Sequence, residues 1–289
     1  MTGIIYKAIS GFYYVSCQNE IYECKARGNF RNAGISPIVG DKVEIEILSD
    51  GKGLVTSVLP RKNVLSRPAV ANIDKLFIVS SFSTPAPDTL MIDRLTAIAL
   101  HNDIEPIIVF NKCDLGDMSA ISGIYKSSGF KTYIVSASEK TGIDELKQET
   151  QKSICAFSGN SGVGKSSIIN SIFGELNLKT GSVSERLGRG RHTTRHTELL
   201  KTPFGTLVDT PGFAAIESES SLEFRDNLQN CFPEFSGLLG KCRFSTCTHT
   251  CEPGCTVIEA VNGGKIQQSR FESYITIFNE LKDLKQWKK

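Results

Sequence analysis

Hydrophobic and polar residues alternate with a short period along the first part of the chain. Residues of the turn-forming types Gly, Asn, Asp and Pro divide this part into five β-type runs. The runs are Gly3–Ile9, Phe12–Ser16, Glu20–Lys25, Lys42–Leu48 and Leu54–Leu59. Short strands separated by turn residues are typical of a small β-barrel. Five strands favour an OB-like barrel, although the pattern alone does not distinguish it from an SH3-like barrel.

The pattern changes after the segment Arg61–Pro68, where short apolar runs alternate with helix-like stretches such as Leu90–His101. The apolar runs are Leu76–Val79, Ile107–Phe110, Thr132–Val135, Ile154–Phe157 and Thr206–Val208. This alternation predicts a parallel sheet covered by helices. From residue 216 onward the pattern is mainly helical. We therefore expect three domains: an OB-like β-barrel (1–65), a central α/β domain (66–215) and a mainly helical C-terminal domain (216–289).

The composition excludes several classes of protein. Hydrophobic residues make up 40% of the chain and charged residues 22%, which is typical of globular rather than collagen-like, disordered or membrane proteins. The apolar runs are far shorter than the ~20 residues that span a bilayer, and the first residues lack the features of a secretory signal. We therefore expect a cytoplasmic protein with no membrane partner. The 33 basic and 31 acidic residues do not decide whether a nucleic acid binds, because a local basic patch matters more.

A phosphate-binding motif follows the run Ile154–Phe157. Residues 159–166 match G-x-x-x-x-G-K-S, and apolar positions at helical spacing come next, which is the strand, loop and helix context that the motif requires. Glycines let backbone N–H groups point at phosphate oxygens, and the helix N-terminus adds partial positive charge. Lys165 is expected to reach the β- and γ-phosphates and Ser166 to ligate Mg²⁺. The other expected nucleotide contacts in this loop are Gly159, Asn160, Ser161, Gly162, Val163 and Gly164.

A guanine-reading signature precedes that loop. Residues 111–114 read N-K-C-D, and N-K-x-D is the base-recognition motif of GTPases. The Asp114 carboxylate would accept hydrogen bonds from the guanine N1–H and exocyclic amine, which adenine cannot supply, and an unpaired buried group of this kind costs ~1–3 kcal/mol. Asn111 is expected to tie neighbouring loops together, and the Lys112 stem to cover the base. Four residues alone are a weak signal, so further motifs are needed.

Two further motifs strengthen the interpretation. Residues 136–138 read S-A-S and resemble the fifth GTPase motif, so Ser136 and Ala137 are expected to contact the nucleotide. Residues 209–212 read D-T-P-G, the third motif. Asp209 would hold Mg²⁺ through a water molecule, and the Gly212 amide would sense the γ-phosphate.

The order of these motifs is the reverse of the usual one. The base motifs precede the phosphate loop, and the segment 188–196, GRGRHTTRH, lies where switch I belongs. Thr194, in preference to Thr193, is expected to complete the magnesium shell. Circular permutation accounts for the order, because the same strands of a parallel sheet can be joined by different loops. As a consequence, switch II leads directly into the C-terminal domain.

The nine cysteines are unevenly distributed, and a group of them near the C-terminus has metal-ligand spacing. Cys242, Cys247, His249 and Cys255 supply the Cys₃His set of a closed structural zinc site, with Cys251 as a fifth candidate. The polar loop around them argues against unrelated buried thiols. No ligand position is left open for water, so we expect one structural zinc ion per chain rather than a catalytic one.

Taken together, these motifs resemble the circularly permuted ribosome-biogenesis GTPases of the RsgA (YjeQ/YloQ) type. The resemblance rests on the barrel, NKCD before GNSGVGKSS, GRHTTRH, DTPGF and C-x4-C-x-H-x5-C with EPGC, and it covers nearly the whole chain. It implies an OB fold, a P-loop GTPase domain of permuted order and a zinc-binding C-terminal domain in which Cys251 is not a ligand. It also adds Ser167 to the nucleotide contacts.

The resemblance further implies a late role in maturation of the small (30S) ribosomal subunit. GTP would be hydrolysed to GDP and phosphate, with stimulation by that subunit, and the 16S rRNA would be a partner of a monomeric chain. The alternative is an rRNA-binding assembly factor that uses GTP as a structural ligand with negligible turnover. A small-molecule kinase is disfavoured by NKCD and by the absence of a recognisable lid or acceptor site.

The catalytic group does not follow the pattern of Ras-like proteins. Phe213 occupies the position where Ras-like proteins carry a water-orienting glutamine, so intrinsic hydrolysis should be slow. His192 in the switch I segment is the candidate substitute, because an imidazole can orient water or accept a proton, and the resemblance implies the same. In the alternative interpretation, His192 contacts an RNA phosphate beside Arg191.

Overall fold

The computed structural model describes residues 1–18, 20–28, 30, 36–49, 51–66, 68–82, 86–174, 197–209 and 222–282. These residues separate into two compact units, each assembled from several stretches of the chain. The first unit draws on Met1–Leu76, Ile143–Ser158 and Lys165–Ala215, and the second on Phe77–Gly142, Gly159–Gly164 and Ile216–Lys289. The three domain boundaries expected from the sequence remain a prediction.

The described strands are β1 (Thr2–Ile9), β2 (Phe12–Cys17), β3 (Glu20–Ala26), β4 (Lys42–Ile47), β5 (Gly53–Val58), β6 (Val64–Ser66), β7 (Ala69–Ala71), β8 (Lys75–Ser81), β9 (Glu105–Asn111), β10 (Lys131–Ile134), β11 (Ile154–Ser158), β12 (Glu198–Thr202) and β13 (Gly205–Asp209). The described α-helices are α1 (Thr89–His101), α2 (Ser119–Ser127), α3 (Ile143–Gln148), α4 (Lys165–Phe173), α5 (Leu222–Asn227), α6 (Thr256–Asn262) and α7 (Gln268–Lys282). Short 3₁₀ helices lie at Cys113–Leu115, Leu228–Cys231 and Pro233–Phe235.

The first unit contains a closed barrel of five strands. Their order is β1-β2-β3-β5-β4, and pairing of β1 with β4 closes the barrel. Every pair is antiparallel except β3 with β5, an arrangement that favours the OB-like over the SH3-like interpretation. The interior is filled by fully buried side chains from all five strands: Ile5, Val15, Cys24, Val43 and Val55. The five-stranded barrel is confirmed, and each predicted run ends within one residue of an observed strand.

The chain leaves the barrel through a small antiparallel hairpin, β6–β7, which the hydrophobic pattern did not predict. Asn72 has a φ of 58°, and its side chain accepts a hydrogen bond from the Lys62 N–H (2.8 Å) and donates one to the Gly40 carbonyl (2.9 Å). The backbones approach closely here, because a Cβ on Gly40 would lie 2.1 Å from the Ala71 carbonyl oxygen. Hydrogen bonds between the Asn72 side chain and the backbone thus hold this segment, and such bonds leave no periodic pattern of hydrophobic residues in the sequence.

The first unit also extends its sheet beyond the barrel. β12 pairs with β1 at Lys7 and Glu198, whose side chains form an ion pair at 2.8 Å. β12 then forms an antiparallel hairpin with β13, and β13 runs parallel to β11. The sequence predicts an all-parallel sheet without a strand at 198–202, and β12 departs from that expectation. Two of its five residues are charged and two are adjacent leucines, so the run carries no clear alternation.

The second unit contains the strand order β10-β9-β8, with β9 and β10 parallel. Helix α1 begins where the Asp88 carboxylate accepts a hydrogen bond from the Met91 N–H at 3.1 Å, a typical N-cap. Its buried side chains include Ile92, Leu95 and Ile98. This α/β arrangement is the one that the alternating apolar runs predicted.

The C-terminal part of the second unit is mainly helical, as predicted, and has an aromatic core. The rings of Phe232, Phe235 and Tyr274 pack with centroid distances of 5.0–5.4 Å. Arg270 of α7 is 1% exposed and pairs with Asp93 of α1 at 2.6 Å and with Glu234 at 2.7 Å. Buried charges therefore join α7 to α1. Within the described residues, no helix has both the length and the apolar character needed to cross a membrane.

Candidate functional site

The phosphate-loop motif forms the connection between β11 and α4. Gly159, Gly162 and Gly164 have φ values of 139°, 82° and 93°, which side chains other than glycine rarely adopt. A Cβ on Gly159 would lie 2.0 Å from the Val79 carbonyl oxygen, and one on Gly164 would lie 2.2 Å from Nδ2 of Asn111. Backbone conformation therefore requires glycine at all three positions, and close packing requires it also at Gly159 and Gly164.

Helix α4 starts at Lys165 directly after this loop, so Ser166 and Ser167 lie in its first turn. The buried face of α4 consists of Ile168, Ile169, Ile172 and Phe173, as the apolar spacing predicted. The first-turn N–H groups of a helix have no partner within the helix. Loop and helix together thus have the local structure of an anion-binding site.

Asn111 connects three of the sequence motifs within the second unit. Its Nδ2 donates a hydrogen bond to the Val163 carbonyl of the phosphate loop at 2.9 Å, and its Oδ1 accepts one from the Ala137 N–H at 3.1 Å. Asn111 is only 2% exposed. These contacts are the loop-bridging role expected for this residue, and they bring segments 111–114, 136–138 and 159–164 together.

The Asp114 side chain is exposed at the end of this loop cluster. Its Oδ1 accepts a hydrogen bond from the hydroxyl of the buried Ser136 at 2.5 Å. Lys112 has a left-handed backbone with a φ of 64°, and the chain turns there into the 3₁₀ helix that carries Asp114. The carboxylate is therefore held in place by Ser136 and accessible to a ligand.

Phe82 is a neighbour of this cluster that the sequence did not reveal. Its N–H donates to the Asn111 carbonyl at 3.2 Å, and a Cβ on Gly116 would lie 2.0 Å from its ring. The ring thus packs directly against the backbone that follows the N-K-C-D motif. The only available signal was its position at the end of an apolar run, and that position gives no information about packing.

Asp209 ends β13, the parallel neighbour of β11. Burial raises its pKa from 3.8 to about 6, and the negative charge of Glu198 adds to that increase. Because carboxyl ends of paired parallel strands lie at one edge of a sheet, Asp209 lies at the edge from which the phosphate loop departs. A nearby cation would favour its charged form.

Several predicted residues lie outside the described part of the chain. They are His192, Thr193 and Thr194 of the switch I segment, and Gly212 and Phe213 after Asp209. Their roles stay predictions from the sequence.

The four predicted metal ligands converge in the C-terminal part of the second unit. One ligand atom each from Cys242, Cys247, His249 and Cys255 lies within 4.8 Å of the others. Nδ1 of His249 is 3.5 Å from Sγ of Cys242 and 3.4 Å from Sγ of Cys255, and these two sulfurs are 3.9 Å apart. Bonds of about 2.3 Å to sulfur and 2.0–2.1 Å to nitrogen give tetrahedron edges of about 3.6–3.8 Å. The cluster can therefore hold one tetrahedral metal ion.

The fifth cysteine, Cys251, is exposed and does not belong to this cluster. The loop around it is shaped by Glu252, whose carboxylate accepts hydrogen bonds from the N–H groups of Thr248, Thr250 and Cys251 at 2.7–3.1 Å. Burial opposes ionisation of Glu252, but the hydrogen bond from the Thr248 hydroxyl (2.6 Å), together with backbone N–H donors that include those of Thr248 and Cys251, outweighs burial and lowers the pKa of Glu252 to about 2. Glu252 therefore stays charged and fixes the loop between two ligands, a role that the sequence did not indicate.

The barrel and an α/β domain with a guanine motif ahead of its phosphate loop define the class, a circularly permuted P-loop GTPase. The family profile described as RsgA N-terminal domain matches residues 2–55, and that of RsgA GTPase matches residues 58–219. The chain belongs to the RsgA GTPase family, whose members are GTP hydrolases.

Similar proteins cover nearly the whole chain. Proteins named small ribosomal subunit biogenesis GTPase RsgA from Caldanaerobacter subterraneus subsp. tengcongensis and Clostridium acetobutylicum are each 43% identical over 97% of this chain, which covers 96% and 98% of their lengths. The crystal structure of YjeQ from Thermotoga maritima matches with a TM-score of 0.83 and 35% identity, covering 98% of this chain and 99% of that one. The structure of YloQ, titled a circularly permuted GTPase, matches with a TM-score of 0.81 and 32% identity over 98% of this chain and 96% of that one.

Proposed function

We propose that this chain hydrolyses GTP to GDP and phosphate on the small ribosomal subunit, late in the maturation of that subunit. The nucleotide part of the proposal is supported above all by Asn111, which joins the guanine motif to the phosphate loop. The subunit is proposed because full-length relatives are named for its biogenesis. Contact with 16S rRNA, a cytoplasmic location and a monomeric state belong to the same proposal.

In this proposal each motif has one task. Asp114 recognises the guanine base, and Lys112 covers its face. The backbone of 159–164 and the Lys165 ammonium hold the phosphates. The contacts are completed by Ser136, Ala137 and Ser167.

A magnesium ion bound with GTP would neutralise charge on the β- and γ-phosphates. The hydroxyls of Ser166 and Thr194 would hold it directly, and Asp209 would hold it through water. The half-buried carboxylate of Asp209 and the Ser166 hydroxyl in the first turn of α4 are oxygen donors of the kind that this ion prefers.

Hydrolysis needs a group that orients the attacking water, and Phe213 cannot form that hydrogen bond. His192 is proposed to orient the water or accept its proton, and the Gly212 amide to respond to the γ-phosphate. Intrinsic turnover should be slow, because Phe213 stands where a water-orienting glutamine is usual. Binding of the subunit would position His192 at the nucleotide.

Single-turnover GTP hydrolysis, measured with and without 30S subunits, tests this proposal. We expect clear stimulation by the subunit, and His192→Ala should reduce the stimulated rate ~10²-fold or more with little change in GTP affinity. His196→Ala is the matched control in the same segment and should retain the rate. Negligible hydrolysis under both conditions would support a structural role for GTP instead, and a wild-type rate in His192→Ala would exclude this histidine.

We also propose that the metal of the Cys₃His cluster is zinc, bound structurally at one ion per chain. Three thiolates and one imidazole in a closed tetrahedral set favour zinc, and such sites contribute folding energy directly. Metal analysis of the purified protein should find one zinc, which Cys247→Ser loses and Cys251→Ser keeps. A full zinc complement in Cys247→Ser would contradict the assignment.

A further inference from the structure

The imidazole of His249 has a partner on the side away from the cysteines. Its Nδ1 faces the sulfurs of Cys242 and Cys255, and its Nε2 lies 2.9 Å from Oε1 of Gln229. We propose that Gln229 is a positioning residue for the metal centre. Its carbonyl oxygen accepts a hydrogen bond from the Nε2–H of His249 and so fixes the tautomer whose Nδ1 lone pair points at the metal. This inference rests on the proposed occupancy by zinc.

A neutral histidine that binds a metal through one ring nitrogen is held in place by a hydrogen-bond acceptor at its other nitrogen. In the neutral ring one nitrogen carries the proton and the other has the free lone pair, and only the latter binds a metal. An acceptor at the protonated nitrogen holds the ring in one tautomer and makes the other nitrogen a better ligand. A glutamine carbonyl does this without adding negative charge to a site that already has three thiolates.

The His249 ring is buried and has an aromatic neighbour as well as Gln229. The backbone φ of 61° lies in the left-handed region, which is uncommon outside glycine, and the side chain is 3% exposed. The ring of Phe235 packs near-perpendicular to the imidazole at a centroid distance of 6.3 Å. Phe235 therefore limits the ring on one side, whereas Gln229 supplies its directional contact.

Gln229 comes from a different segment than the ligands. It lies on the 3₁₀ helix Leu228–Cys231, whose Leu228 and Cys231 side chains are buried. The preceding Asn227 places its amide nitrogen 3.2 Å from Nδ1 of His101 at the end of α1. The segment is thus held by its own buried side chains and by the contact with His101. The position of Gln229 therefore has anchors outside the loop 242–255.

Zinc release from the full-length zinc-loaded protein to a chromophoric chelator tests the proposal. Gln229→Met removes the acceptor at similar volume and should release zinc about 10–100-fold faster, the range typical of lost outer-shell contacts. Gln229→Glu keeps an acceptor, although it adds a negative charge, and should release zinc more slowly than Gln229→Met. Asn230→Ala is the matched control, because the Asn230 side chain bonds to Asn227 instead of the metal centre.

Nitrogen-15 NMR of the histidine rings gives a readout that a merely structural role would not change. In the wild type, His249 should show a metal-bound Nδ1 and a protonated Nε2 protected from exchange, and that protection should be lost in Gln229→Met. Wild-type release from zinc-loaded Gln229→Met, or a metal-bound Nε2 in the wild type, would overturn the role of Gln229 alone. A wild-type protein that binds no zinc would overturn the metal proposal as well.

Discussion

Asn111 shows how much one side chain can organise. Its Nδ2 donates a hydrogen bond to the phosphate loop, and its Oδ1 accepts one from segment 136–138. Both polar atoms of this buried side chain are therefore hydrogen-bonded. Replacing it would leave the Val163 carbonyl and the Ala137 N–H without this partner, and the buried Val163 carbonyl alone would cost about 1–3 kcal/mol. The base and phosphate parts of the site therefore depend on the same residue.

Asp114→Asn should change the base preference. An amide donor at this position repels the guanine N1–H but can pair with the additional carbonyl of xanthine. Loss of the charge-assisted hydrogen bonds to the base predicts a GTP affinity about 10- to 100-fold lower and a preference for xanthosine nucleotides, measured by competitive binding. Asp117→Asn, an exposed neighbour bonded to Ser119, should leave the preference unchanged. Unchanged GTP selectivity in Asp114→Asn would contradict the guanine assignment.

The raised pKa of Asp209 should make the free energy of unfolding depend on pH. Its pKa in the folded, nucleotide-free protein is about 6, above the ordinary 3.8, so its contribution to stability is complete below about 3.8 and is lost as the pH rises through 6. Asp209→Asn should therefore be more stable than wild type at pH 7.5. The gain is about 1–2 kcal/mol, since partial exposure screens the effect.

Thermal unfolding of both proteins without nucleotide or Mg²⁺ measures this difference. The advantage of Asp209→Asn should shrink below pH 6 and vanish near pH 4. An advantage that is constant with pH would show that the carboxylate is not the cause.

Helices α1 and α7 offer a comparison of two ion pairs at the level of elements. Arg270 of α7 is buried against Asp93 and Glu234, whereas Arg94 of α1 reaches Glu280 of α7, whose side chain is half exposed. Arg270→Leu leaves two buried carboxylates unpaired and should cost about 3–5 kcal/mol. Arg94→Leu should cost at most ~1 kcal/mol. Urea denaturation followed by circular dichroism measures both, and equal costs would contradict the burial argument.

The elements also show what the sequence could predict. The barrel strands were predicted within one residue because turn residues separate them and because, in four of the five, two buried positions lie two residues apart, as at Val43 and Ile45 of β4. β6 and β7 escaped because each strand of this hairpin has only three residues, and β12 escaped because its own residues carry no clear alternation. The same limit applies in the site: the ligand spacing predicted the Cys₃His cluster, whereas Phe82, Glu252 and Gln229 contribute through contacts that leave no spacing signal.

At the scale of the whole molecule, the permuted order of the GTPase motifs places the C-terminal segment directly after the D-T-P-G motif. The bound nucleotide is therefore expected to influence that segment. The D-T-P-G motif that begins at Asp209 continues into α5 and the 3₁₀ helix Leu228–Cys231. Loss of a γ-phosphate releases loops of this kind, so hydrogen exchange in residues 222–231 should differ between the GDP and GTP-analogue states. The barrel strands β2 and β3 serve as the internal control. Identical exchange in both states, on and off the subunit, would contradict this coupling.

The pairing of β1 with β12 links the barrel to the strand that carries Asp209. Two steps of backbone hydrogen bonding, from β1 to β12 and from β12 to β13, connect the wall of the barrel to Asp209. The β12–β13 hairpin thus links strand β1 of the barrel to the carboxyl end of β13. We therefore expect a partner that displaces β1 to displace this hairpin as well, and with it the strand that ends at the D-T-P-G motif.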